Sequence, residues 1–404
     1  MTWLQQNNTE DRPMMRFFTV PFLALLLSGC GSMSSMNPID WFADEDNSEP
    51  PAELVEIENA VATRVLWTAS VSGGSDEQRV KLVPYVNDGK VYVASRKGEV
   101  RVLDASTGRA VWSVDTDLEI SGGPGAGEGL VLIGTSNGEV VALDVASGSE
   151  KWRARVSSEV LSVPRAAQGV VVVHTIDGKL FGIDAATGSQ KWLYDRSTPV
   201  LTLHGSSSPV IIGNRVICGF ASGKLVMLNL ANGDLLWEIS VTAPSGRSEL
   251  ERMVDIDGEP LVVGDVVYVT TYQGEMAAIS IDTGVVLWRR KLSSYAGMGA
   301  DFSQLYVSDD TDHVLAVDPG NGAALWKNQK LQYRKLTAPV ELTGTVMVGD
   351  FEGYLHQLSR EDGRLMGRIR IAKSAISTPP IVKDGVAYIY ADSGEIAAVT
   401  ISDR

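Results

Sequence analysis

The string "ALDVASGSEKW", residues 142–152, has a near copy forty residues later in "GIDAATGSQKW" and another before it in "VLDASTGRAVW". The shared skeleton is an Asp, Asn or Ser, a Gly four places on and a Trp four further. It recurs as Asp104/Gly108/Trp112, Asp144/Gly148/Trp152, Asp184/Gly188/Trp192, Asn229/Gly233/Trp237, Ser280/Gly284/Trp288 and Asp318/Gly322/Trp326, and in degraded form as Ser359/Gly363/Gly367. A fixed repeat constrains a fold more than any composition can, because each unit must bury its face on its neighbours. Asp, Asn and Ser start turns by hydrogen-bonding the backbone just ahead, and Gly supplies the left-handed residue that closes a short hairpin. Trp is large enough to fill the space between packed sheets.

Each unit extends backwards at constant distances. A second Gly stands ten residues before the turn Gly, at Gly98, Gly138, Gly178, Gly223, Gly274 and Gly353, with Asp312 substituting once. A Pro stands 28 residues before the Trp position, at Pro84, Pro124, Pro164, Pro209, Pro260 and Pro339, with Met298 the one exception. Between them run apolar stretches such as "KVYVAS" and "VVYVTT", rich in residues that favour strands. One unit is therefore four antiparallel strands, a to d, with Pro at the start of a and Trp on d.

Seven units are complete. An eighth starts at Pro380 and turns at Gly394, and its Trp position would be 380 + 28 = 408, beyond Arg404. The missing strand is at the other end, where "RVLWTASV", 64–71, carries Trp67 with no unit before it. The expected fold is all-β: an eight-bladed β-propeller of four-stranded antiparallel blades over 61–404, closed by an N-terminal strand completing the last blade. A linear solenoid has no reason to divide one unit between both termini.

Residues 1–29 read as a lipoprotein signal peptide. Arg16 precedes an apolar run from Phe17 to Leu27 that is too short to span a bilayer. The polar stretch before it places the expected translation start at Met14 or Met15. The ending Leu27-Ser28-Gly29-Cys30 resembles a bacterial lipobox, which implies lipidation of Cys30. Gly31 after that Cys, rather than Asp, implies the outer membrane, and several acyl chains would make a stable membrane anchor. Residues 30–60 form an acidic tether: Gly31 to Thr63 contains no Lys or Arg but eight acids, from Asp40 to Glu58. The formal charge of -15 argues against nucleic acid as a partner.

Chemistry is scarce. His174, His204, His313 and His356 fall in different units without metal-ligand spacing. "GGPGAGEG", 122–129, looks like a phosphate loop but overlays strand a of the second unit with Pro124 in register. "DIDGE", 255–259, begins like a calcium loop and lacks the closing acid, and "DDTDH", 309–313, is a b–c turn. Cys218, in "RVICGF", reads as a buried thiol. No nucleophile–base pair can be nominated, and no metal or cofactor is expected.

The units resemble the PQQ-type repeat of quinoprotein alcohol dehydrogenases, which implies a PQQ-dependent quinoprotein dehydrogenase or ligand sensor as the alternative function. Those enzymes are generally much longer and carry adjacent cysteines beside the quinone; no Cys-Cys occurs here. Fold likeness without the site does not imply the chemistry.

Function should lie where spacing varies. From each Trp position to the next Pro position the intervals are 17, 12, 12, 17, 23, 10, 13 and 13. Two of the three long connections, Trp192 to Pro209 and Trp237 to Pro260, flank the fourth unit and should form one patch on one face. The first carries Leu201 and Leu203 beside His204; the second carries Glu251, Arg252, Asp255 and Asp257. An apolar pair rimmed by charge fits a protein contact, unless the leucines pack beneath their own loop.

Together the lipobox, the acidic tether, eight PQQ-like blades and the strings "LTLHG" and "ERMVDIDGEP" resemble the BamB family, over residues 30–404. The resemblance implies a non-enzymatic lipoprotein scaffold of the β-barrel assembly machinery, on the periplasmic face of the Gram-negative outer membrane, binding the POTRA domains of BamA. The contact residues it implies are Leu201, Leu203, His204, Asp255 and Asp257. Position 204 is often Arg in that family, and His carries less charge at neutral pH. Unfolded outer-membrane chains are a further expected partner, through exposed b-strand edges or the central channel.

Overall fold

The structure is a computed structural model that describes residues 49–57, 60–76, 78–196 and 198–403. The signal peptide, Cys30 and the tether up to residue 48 lie outside the described residues. Among the described residues eight sheets follow one another along the chain. In the first blade the strands are Tyr85–Asn87, Lys90–Ala94, Glu99–Asp104 and Ala110–Asp115, hydrogen-bonded in that order as a, b, c and d. The a strands of neighbouring blades contact one another around the ring, which leaves the d strands outermost.

The eighth sheet proves the closure. Its order is Val61–Ser70, Glu395–Asp403, Val386–Tyr390, Ile381–Lys383, so the N-terminal strand occupies position d. It pairs antiparallel from Val61↔Asp403 to Ser70↔Glu395, with a register shift between Val65 and Trp67. The same one-residue shift lies beside the Trp position in each of the other c–d pairs. A strand from the far end of the sequence thus reproduces the blade pattern down to its bulge.

Strands b and c read as continuous apolar runs because both of their faces are covered by adjacent blades. Val91, Val131, Val171, Ile217, Val267 and Val346 are wholly buried. Each b strand is hydrogen-bonded on both sides, so the expectation that unfolded chains use exposed b-strand edges is corrected: the terminal strands of the blades are a, toward the axis, and d, on the outside.

The repeated triplet is an inter-blade joint. Asp104 Oδ1 accepts hydrogen bonds from Ser106 N at 3.1 Å and Thr107 N at 2.9 Å, and Gly108 follows with φ 68°. The indole Nε1 of each Trp then donates to the carbonyl just after the turn residue of the following blade. Trp67 reaches Ala105 at 2.9 Å, Trp152 reaches Ala185 at 2.8 Å and Trp326 reaches Arg360 at 2.9 Å. The next blade's turn Gly lies flat on that indole; a Cβ on Gly188 would stand 2.8 Å from Trp152 Cε3. Gly is therefore required twice, for its dihedral and for the ring it carries.

Gly367 now has a reason. The following blade is the eighth, whose c and d strands are separate chain ends with no hairpin for an indole to clasp. A Cβ at Gly367 would lie 2.3 Å from Gln357 Oε1 of its own blade and 3.0 Å from Val61 Cγ2 of the closing strand.

Residues 49–57, expected as part of the tether, lie against the ring. Ala52 N donates to Gln332 O at 2.9 Å, and Arg334 Nη1 donates to Ala52 O at 3.0 Å. Arg334 is buried and ion-paired to Asp350 at 2.7 Å, which also accepts from the buried His356. Among the described residues no helix is long and apolar enough to cross a membrane.

Candidate partner-binding surface

Antiparallel order puts every d-to-a connection on the face that holds the b–c turns, so the two long connections around the fourth blade start as neighbours. Four contacts tie them together. Leu203 N donates to Asp255 Oδ2, and Ser207 Oγ donates to Gly258 O at 3.1 Å. Gly205 lies against the Asp257 carboxylate, where a Cβ would sit 2.9 Å from both oxygens. Lys81 Nζ donates to the carbonyls of Ser206 at 2.8 Å and Asp257 at 3.0 Å, one from each connection.

The second connection is anchored from below by buried Met253, Val254 and Ile256. Ile256 N donates to Phe220 O at 3.2 Å and Tyr272 N to Asp255 O at 2.9 Å. Further out, Glu251 Oε2 accepts from Arg247 N at 2.6 Å, and Arg252 N donates to Ser248 O at 3.2 Å, giving the tip its own turn.

On this base the expected residues separate into two groups. Leu201 is 40% exposed and His204 is exposed, while Leu203 is half-buried. His204 Nε2 stands 3.4 Å from Glu159 Oε2. Asp255, expected at the surface, is fully buried, and Asp257 is partly covered. Burial pushes the Asp255 carboxyl up to about 7, opposed by the Leu203 N–H and reinforced by the like charge of Asp257. Burial also raises Asp257, with Lys81 and His204 acting against it. The acids thus act beneath the surface: Asp255 holds the Leu203 backbone, and its Oδ1 has no hydrogen-bond partner among the described residues.

Two apolar residues that spacing did not single out are more exposed than the leucines that it did. Val200 is 93% exposed and Leu250 is 59% exposed, one on each connection. Both are visible in the sequence as apolar residues in polar loops, a signal that resemblance-guided reading passed over. Lys81 was missed as well, although the 17-residue interval that contains it stood out as the third long connection.

His174 is buried, its Nδ1 3.0 Å from Ser207 O and 3.4 Å from Cys218 Sγ. Burial pushes His174 down to about 4 and raises the Cys218 thiol. His313 pairs with Asp309 at 2.9 Å in the b–c turn where Asp312, φ 64°, stands in for Gly. Among the described residues no group of three His, Cys, Asp or Glu is placed to hold a metal. "GGPGAGEG" is a strand: Gly122 and Gly125 permit blade three to approach, since a Cβ would lie 2.2 Å from Ser162 O and 1.9 Å from Pro164 O.

Comparison with known proteins gives a consistent picture. A family profile described as outer membrane protein assembly factor BamB matches residues 51–121, 96–328 and 314–404. The outer membrane protein assembly factor BamB of Alkalilimnicola ehrlichii is 52% identical over 377 residues, 93% of this chain and 94% of that one. Its counterpart in Pseudomonas aeruginosa is 46% identical over 94% of this chain and 97% of its own length. Among solved structures, the crystal structure of BamB from Moraxella catarrhalis superposes with a TM-score of 0.77 at 26% identity, covering 84% of this chain and all of that one. A europium-containing methanol dehydrogenase superposes at 0.69 but at 12% identity, over 84% of this chain and 93% of that one, a likeness of fold alone.

Proposed function

The chain belongs to the BamB family of outer membrane protein assembly factors, and on that premise we propose a non-enzymatic scaffold of the β-barrel assembly machinery. It holds the periplasmic POTRA domains of BamA on the surface built by the two long connections around the fourth blade. Cys30 carries the lipid that tethers the ring to the periplasmic face of the outer membrane.

The observation that carries this reading is the coupling of the two connections. Loops of this length on a separate footing would lose conformational entropy on binding; these are already fixed by Asp255, Ser207 and Lys81. Their exposed apolar residues, Val200, Leu201 and Leu250, supply the buried centre that a partner needs, with Leu203 beneath them and His204 at the margin. The net negative charge of the chain favours a basic partner surface and faster encounter, while Asp257 packs beneath Gly205 and His204. Asp255 contributes by holding Leu203 in place.

Replacing both Leu201 and Leu203 by Ala removes roughly 1.5–3 kcal/mol of burial per side chain that the complex fully covers. The expected outcome is loss of BamA POTRA capture in a pull-down, with the circular dichroism of the ring unchanged, so that the propeller is still folded. Co-purification at the wild-type level would reject the assignment.

A further inference from the structure

Lys81 stands three residues before Pro84, as Ser206 stands before Pro209 and Asp257 before Pro260. The three occupy equivalent lead-in positions of blades one, four and five. Blade one neighbours blades two and eight in the ring, so a Lys81 that bonds Ser206 O and Asp257 O must reach across the ring axis. It can do so because Lys81–Leu82 is an extra strand, paired parallel to Gly122 and Gly123 on the inner side of blade two. A second crossing accompanies it, the Arg165–Glu259 ion pair at 2.8 Å between blades three and five.

We propose that Lys81 is a positioning residue for the docking surface: a strut from the first long connection that fixes the roots of the other two. This rests on the reading of that surface as the partner site. The pattern of interval lengths supports it, since the three longest connections in the chain are the three that meet at this one ammonium group. The chemistry is suited to the task. The ammonium of this half-buried side chain offers three donors and no acceptor, so it takes carbonyls or carboxylates from whatever surrounds it. Asp257 and Glu259 balance its charge, with Arg165, Cys218 and His174 also close by. From there the path to the surface is short: the Asp257 carboxylate packs on Gly205, and His204 is the next residue.

The test uses the mature chain with Lys81→Met, which keeps an unbranched side chain one atom shorter and removes every donor. Hydrogen–deuterium exchange is read without partner over 198–205 and 246–257, with the b and c strands as internal reference. Expected is exchange at least about tenfold faster in both connections, unchanged protection of the blade cores, and at least about tenfold weaker POTRA capture. Lys81→Arg should recover part of both effects, because it restores a charged donor, whereas a mere space-filling role would favour Met. Wild-type exchange in both connections of the Met variant would overturn the proposal, as would loosened connections with undiminished capture. If the Met variant does not fold, Lys81→Gln, which keeps an amide donor, is judged by the same exchange criterion. Failure of the wild-type chain to capture POTRA domains would overturn the docking reading itself, and is distinguishable because the exchange measurement involves no partner.

Discussion

A single indole shows how the ring is joined. Trp152 is 7% exposed, donates to Ala185 O of the next blade and lies under Gly188. Trp152→Ala opens a cavity between two sheets and leaves a carbonyl without its donor, so a loss of roughly 3–5 kcal/mol is expected in urea unfolding. This joint was legible in the sequence, because its three members keep constant spacing within a unit. Its partner assignment was not, since the indole clasps the turn of the following unit and not its own. Gly367 illustrates the difference. Within its own unit it looks like decay of the repeat; in the ring it is the one position where no hairpin waits to be clasped.

At the scale of the elements, interval lengths were enough to find the two connections and to put them on one face, since antiparallel strands leave no other choice. What spacing could not give was depth. Asp255 and Asp257 share a short acidic motif, yet Asp255 is fully buried and Asp257 only partly covered, a difference that their spacing does not carry. The clamp that Asp255 forms is testable by pH. Its folded-state carboxyl titrates at about 7, raised from an ordinary 3.8, so the folded chain keeps a proton that the unfolded chain has released between those values. The stability contributed by that proton is complete below the unfolded value and is lost as pH rises through 7. Asp255→Asn stays neutral and can still accept the Leu203 N–H. Relative to wild type it should gain roughly 2–3 kcal/mol between about pH 5 and about pH 8, measured by denaturant unfolding at both ends. An unchanged difference would mean that Asp255 is hydrated in solution and does not hold Leu203 from a dry site.

For the whole molecule, one unit split between the two ends of the chain was the sequence signal that distinguished a ring from an open array, and the pairing of Val61–Ser70 with Glu395–Asp403 is its physical form. The axis was less legible, because Lys81 lies in a connection and reads as an ordinary surface lysine until the ring brings blades four and five opposite it. Closure has a consequence for chain order. Val61 and Asp403 are direct partners, so a short flexible linker joining residues 61 and 403 turns the seam into an eighth c–d hairpin. New ends can then be opened in another c–d turn, such as that between Ala146 and Ser147. The permuted chain should fold to the same ring, since every sheet keeps its four strands. It should also be weaker than the parent, because Trp112 clasps the turn at Gly148 and donates to Val145 O, a hold that opened ends cannot keep in place. Adding Trp112→Gly to the permutant should then lower its stability by less than the same change lowers that of the parent, a coupling readable in a double-mutant cycle. Equal losses in both chains would mean that the indole stabilises by filling space alone, and that the absence of Trp at position 367 has nothing to do with where the chain begins and ends.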